Sequence, residues 1–104
     1  MADPGPLFVA DSRLAFRVRT SRQYWDRLVL KHPDLAGRHL EVVSTLTAPD
    51  EVRRSRRDPA ILLFYRRDGR YWLVAVVRRL DGDGFLITAY RADSIKEGER
   101  LWPR

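Results

Sequence analysis

Residues 60–80 read AILLFYRRDGRYWLVAVVRRL. Two runs of apolar, β-branched and aromatic residues flank Asp68-Gly69. An Asp-Gly pair accepts positive φ at little cost, so between two such runs it signals a tight β-hairpin. Ala60–Arg66 is expected as one strand and Arg70–Arg79 as the next. The middle of the second run is apolar on both faces, which places it inside a sheet rather than at its edge. Downstream, Asp81-Gly82-Asp83-Gly84 reads as another turn and Phe85–Arg91 as a third strand. The stretch from Asp93 to Arg104 is expected as a turn plus a short closing strand or helical turn. Leu101 and Trp102 should pack back onto the domain.

Upstream of the hairpin, Arg53–Pro59 carries four arginines in five residues and reads as a basic loop. Ala48–Val52 reads as a turn, or as a single helical turn started by Pro49. A helix is expected from Arg38 to about Thr47, with Leu40, Val43 and Leu46 on one side. Another is expected from an N-cap at Thr20 or Ser21 through Lys31. Trp25, Leu28 and Val29 would form its buried stripe, and Pro33 would end it, because the residue before proline disfavours the helical region. Leu14, Phe16 and Val18 alternate as a strand. Residues 1–6 hold two prolines and a glycine and are expected as a flexible tail, leaving 7–104 as a single domain. Strand, two helices and an antiparallel meander make an α+β chain.

At 104 residues the chain has room for one modest core. The absence of cysteine excludes disulfides, cysteine-based zinc sites and thiol nucleophiles, and two histidines are too few for a histidine-rich metal site. No metal or cofactor is expected. No apolar run approaches the ~20 residues of a membrane span, and no membrane association is expected. Met1–Pro6 is short and acidic, unlike a signal peptide, which points to a cytoplasmic or delivered protein. The net charge is +6, and 18 of the 20 basic residues are arginine, whose planar fork suits phosphate. This fits a polyanionic partner, RNA foremost, and it also fits GC-rich coding with no partner at all.

Strand alternation sorts the side chains. If Asp68-Gly69 is the turn, Arg67 faces Arg70; if Asp81–Gly84 closes the next turn, Leu80 faces Phe85. One face then collects Ile61, Leu63, Tyr65, Trp72, Val74, Val76, Phe85, Ile87 and Ala89. It is nearly all apolar and is expected beneath the helices. The other collects Leu62, Phe64, Arg66, Tyr71, Leu73, Ala75, Val77, Arg79, Leu86, Thr88 and Tyr90. Its arginines could contact phosphate and its tyrosines could stack on unpaired bases. The same residues also suit a half-exposed sheet face with high β-propensity. A bulge in the middle strand would bring Arg78 there in place of Arg79.

Several short motifs follow one another in a familiar order. They are His32-Pro33-Asp34 at a helix end, Leu46-Thr47-Ala48-Pro49-Asp50-Glu51-Val52 with Ser55, and Thr88-Ala89-Tyr90 followed by Lys96-x-Gly98 and Trp102. Together they resemble the phage-associated branch of the barnase/EndoU/colicin/RelE-like nuclease superfamily, over residues 14–102. The resemblance implies two N-terminal helices packed on a curved antiparallel β-sheet of about four strands, with the active site on the open face. It implies a metal-independent RNA endonuclease of toxin or phage-effector type, cleaving by 2′-OH attack on the adjacent phosphate. Its partners would be RNA and an antitoxin or immunity protein, and its place the cytoplasm of its own or a target cell.

His32, Thr88, Tyr90 and Arg79 are the candidate catalytic residues. Imidazole ordinarily titrates near pH 6.5 and suits general acid–base work. Tyr90 could stack or donate a proton to the leaving oxygen, Thr88 could hydrogen-bond phosphate, and Arg79 could neutralise it. Arg66, Arg78, Ser55 and Tyr71 are the candidate substrate-binding residues. The structural alternatives are a histidine favoured by a helix C-terminus, solvated arginines at strand ends and a serine in a turn. His39 carries no motif. The family commonly has a further histidine about a turn before His32, where this chain has Arg27. A non-catalytic RNA-binding or protein-interaction domain is therefore the alternative function.

Overall fold

The protein, described by a computed structural model over residues 5–95 and 98–104, holds more strand than its sequence suggests. In chain order the elements are β1 (Pro6–Asp11), β2 (Arg17–Ser21), α1 (Arg22–Lys31), a 3-10 turn (Pro33–Leu35), α2 (His39–Thr47), β3 (Glu51–Arg54), β4 (Ile61–Asp68), β5 (Tyr71–Leu80), β6 (Asp83–Ala92) and β7 (Glu99–Trp102). The strands form one seven-stranded sheet in the order β1-β2-β6-β5-β4-β3-β7. Among the described residues only the β2–β6 pair is parallel.

This corrects the expectation of two helices on a four-stranded antiparallel sheet. The central meander β4-β5-β6 forms as expected, and the additional strands flank it. β1 and β2 make a hairpin that joins the edge of β6 through Arg17–Arg19. β3 and β7 extend the opposite edge. Edge strands tolerate proline and charge because one side of their backbone faces solvent. That is why Pro6, on the edge strand β1, resembled tail; Arg53-Arg54 resembled loop although β3 lies inside the sheet between β4 and β7, where Glu51 and Glu99 pair with the two guanidinium groups. Met1–Pro4 and Lys96, which the tail and the Lys-x-Gly motif involve, lie outside the described residues.

α1 starts where expected: the Ser21 hydroxyl accepts from the Tyr24 N–H at 3.0 Å, a side-chain N-cap. It buries Trp25 and Leu28 and ends at His32, whose N–H donates to the Leu28 carbonyl at 3.0 Å. α2 is rotated from the expected phase. It buries Val42, Thr45 and Leu46, while Leu40 is 68% exposed. Thr45 adapts to burial by donating its hydroxyl to the Glu41 carbonyl at 2.8 Å.

The hairpin register differs slightly from the expected one. Asp68 pairs with Tyr71, so the two loop residues are Gly69 and Arg70, and Gly69 takes φ 62°. Pairing shifts by two positions along β5, which leaves the faces of β4 and β5 unchanged. Between β5 and β6 there is a bulge: Val76 faces Thr88 but Val77 faces Leu86, and Ile87 is the extra residue. Beyond it, every side chain of β6 changes sides.

The core therefore lies on the face opposite to the one expected. Leu62, Phe64, Leu73, Ala75, Val77, Leu86 and Ala89 pack with Trp25, Leu28, Val42 and Leu46 from the helices. Phe16, from the loop between β1 and β2, closes one end. Its ring meets Phe64 edge-on at 6.4 Å and lies over Gly84, where a Cβ would come within 2.9 Å. The arginines of this face sit at its margins. Arg66 reaches past the apolar centre and donates to the Ser44 and Ala48 carbonyls at 3.3 and 3.1 Å, covering the C-terminal end of α2. Long amphipathic side chains at strand ends made a covered face look open.

Candidate functional site

The parallel pairing of β2 with β6 stops at Phe85, and the chain turns into α1 beyond Ser21. α1 then runs beside the half of β6 that β2 leaves unpaired, where the Tyr24 hydroxyl donates to the Ile87 carbonyl at 2.6 Å. The seam between them opens into a cleft of about 550 Å³ lined by Tyr24, Arg27, Leu28, Lys31, His32, Ile87 and Thr88. Positions 24, 27, 28 and 31 recur at helical spacing, so one side of α1 supplies most of the wall. The His32 ring lies 6.3 Å from the Tyr90 ring, centroid to centroid and inclined by 34°.

The bulge at Ile87 creates this neighbourhood. It turns Thr88 and Tyr90 away from the core onto the face of Val74 and Val76, their direct partners on β5. Both remain partly accessible. Burial raises the Tyr90 phenol above its usual value of 10.0, so at neutral pH it holds its proton. His32 is placed by backbone geometry: it caps α1 and precedes Pro33, which starts the 3-10 turn. Two motifs distant in sequence, His32-Pro33-Asp34 and Thr88-Ala89-Tyr90, thus meet in space.

The other candidates divide. Arg78 shares the uncovered face with Thr88 and Tyr90, but its guanidinium contacts the Asp58 carboxylate at 3.2 Å. That carboxyl is held below its usual range by the Ala60 N–H, and further by Arg78. Arg79 lies on the opposite face, its guanidinium 4.8 Å over the Phe16 ring. Arg66 is engaged at the end of α2. Tyr71 stands on the core side, with the Arg91 guanidinium 4.3 Å over its ring. The Ser55 hydroxyl accepts from the Arg57 N–H at 3.2 Å, a turn contact at the end of β3. His39 packs edge-on against Trp25 at 6.2 Å.

Lys31 and Tyr24 were missed as site residues, and Arg27 entered the sequence reading only as a departure from a motif. The i, i+4 spacing of Arg27 and Lys31 immediately before His32 was the available signal. It aligns two cations with the one imidazole at the helix end. Among the described residues no carboxylate lines this cleft. Among the described residues no group of three or more histidine, aspartate or glutamate side chains is placed to hold a metal ion. No helix among them is long and apolar enough to cross a membrane. No protein-family model matches the chain, and neither a curated protein nor a solved structure matches it, so a functional assignment rests on its own residues.

Proposed function

We propose that this protein is an RNA endonuclease that works without a metal ion at the cleft between α1 and β6. The observation that carries the reading is the imidazole of His32 beside the protonated phenol of Tyr90, at a cleft whose charged lining is Arg27 and Lys31. Cleavage by a neighbouring 2′-hydroxyl needs a base, an acid and cations for the charge that gathers on phosphate.

In this reading His32 takes the proton of the ribose 2′-OH. The freed oxygen attacks the adjacent phosphorus in line with the bond to the 5′-oxygen. That bond breaks as Tyr90 gives its proton to the departing oxygen, leaving a 2′,3′-cyclic phosphate and a 5′-hydroxyl end. Arg27 and Lys31 bind the phosphate and stabilise its developing charge. Thr88 donates a hydrogen bond to a non-bridging oxygen. Burial keeps the Tyr90 phenol protonated, so it enters as donor rather than base. The resemblance of the two converging motifs to the phage-associated nuclease family supports the same assignment. RNA, and an immunity protein for a toxin-type effector, are the partners it implies, with action in a cytoplasm.

Incubation of the purified protein with RNA in EDTA should yield fragments with cyclic-phosphate ends. His32→Ala and Tyr90→Phe should each slow cleavage by about 10²–10⁴-fold. Absence of cleavage, or cleavage indifferent to both substitutions, rejects the enzyme. Salt-dependent RNA binding without turnover would instead identify a silent relative, the reading that Arg27 in place of a histidine favours.

A further inference from the structure

A second cleft, of about 630 Å³, lies at the other end of the core and shares no lining residue with the first. Its walls come from both margins of the sheet: Arg13 from the loop joining β1 and β2, Arg54 from β3, Arg79 from β5, and Arg100, Trp102 and Arg104 from β7 and the residues after it. Five guanidinium groups converge there, and among the described residues no acidic side chain lines it.

The arginines are held in a telling way. Arg13 lies 4.3 Å over the Trp102 ring and Arg79 lies 4.8 Å over the Phe16 ring. Aromatic faces orient a guanidinium without neutralising it, so its N–H groups remain available to an anion. Among the described residues, Arg54 alone of the five makes an ion pair, with Glu99 at 3.3 Å. Like charges gathered in this way repel one another, and a polyanion relieves the repulsion. Five cations spread over a cleft of this size suit several phosphates in succession better than one.

We propose that this cleft is a non-catalytic seat for single-stranded RNA, holding phosphates of the strand outside the cleavage cleft. The choice of RNA rests on the ribonuclease reading; the phosphate chemistry does not. A 20-nucleotide 2′-O-methyl RNA tests it, because that strand lacks the attacking hydroxyl and reports binding whether or not the protein cleaves. Arg100 and Arg104 are exposed, so Arg100→Gln with Arg104→Gln should leave the fold intact. The double variant should bind the strand about tenfold more weakly at 0.1 M salt, with a log K against log salt slope shallower by about 1.4. Arg13→Gln, a single change on the opposite wall, should lower the slope by about 0.7. Unchanged affinity and slope in both variants overturns the proposal. So does a loss confined to an acidic peptide, which would reassign the cleft to a protein partner. A protein that cleaves RNA but fails this test keeps its proposed function, and one that passes it without cleaving loses only the enzyme.

Discussion

Phe64 and Tyr65 are consecutive residues of β4, both buried, and they serve different surfaces of one sheet. Phe64 points into the core, against Phe16 and among the residues that pack on the helices. Tyr65 points the other way, into an aromatic contact with Trp72 at 6.5 Å, on the face that leads to Val74, Val76, Thr88 and Tyr90. The first face takes its order from close packing, which tolerates little change in volume. The second keeps the phenol of Tyr90, the hydroxyl of Thr88 and the neighbouring imidazole of His32 partly accessible. Close packing and the candidate site are thus divided between opposite sides of the same strands.

The division can be attacked directly. Phe64→Ala should cost about 3–5 kcal/mol in urea unfolding, whereas Leu63→Ala, half-buried on the other side, should cost about 1–2 kcal/mol. Equal losses would mean that both faces are core. Next, Tyr90→Phe should lower kcat/KM for RNA by about 10²-fold with little change in the unfolding midpoint, while Tyr71→Phe on the core side leaves cleavage alone. A comparable loss in Tyr71→Phe would return the site to the face that the helices cover.

Smaller effects sharpen the same contrast. Arg66→Gln removes the contacts to the last carbonyls of α2 and should cost about 1 kcal/mol of stability while cleavage persists. A parallel loss of cleavage would restore Arg66 to the substrate. The smallest effect is one of pH. The Tyr90 phenol has a raised pKa in the folded state, so the fold favours its protonated form. Its stabilising contribution is fully present below the ordinary phenol pKa and is lost as pH rises through the folded-state value. The wild-type unfolding midpoint should fall more steeply in strong alkali than that of Tyr90→Phe. Identical alkaline profiles would mean that burial does not hold the proton.

Much of this was legible in local patterns. The apolar runs around Asp68-Gly69, the Ser21 cap and the stop before Pro33 each act within a few residues, and each element formed. β1, an edge strand, escaped notice beside the prolines of the N-terminus, and β3, which lies between β4 and β7, because it carries Arg53 and Arg54. β3 is too charged to announce a strand whose stabilisation comes from its partner strands, whereas β1 is apolar over residues 7–10. The orientation of the sheet escaped for another reason. Counting apolar residues favoured the face of Ile61, Leu63 and Val74, but Arg66 and Arg79 lie at strand ends, where a guanidinium can leave the core while its stem stays in it.

The site shows the same limit. His32, Thr88 and Tyr90 were chosen by type and motif, and the fold brings them together. Arg66, Arg79 and Tyr71 were chosen by strand alternation and Ser55 by motif, and they lie elsewhere. By itself the sequence determined the central meander, both helices and a strongly basic, arginine-rich chain, because propensity, capping and charge act locally. Only the tertiary structure decided which face the helices cover, where the sheet margins converge, and that one extra residue at Ile87 turns Thr88 and Tyr90 outward. Those outcomes depend on pairing register and long-range packing, which no short window of residues encodes.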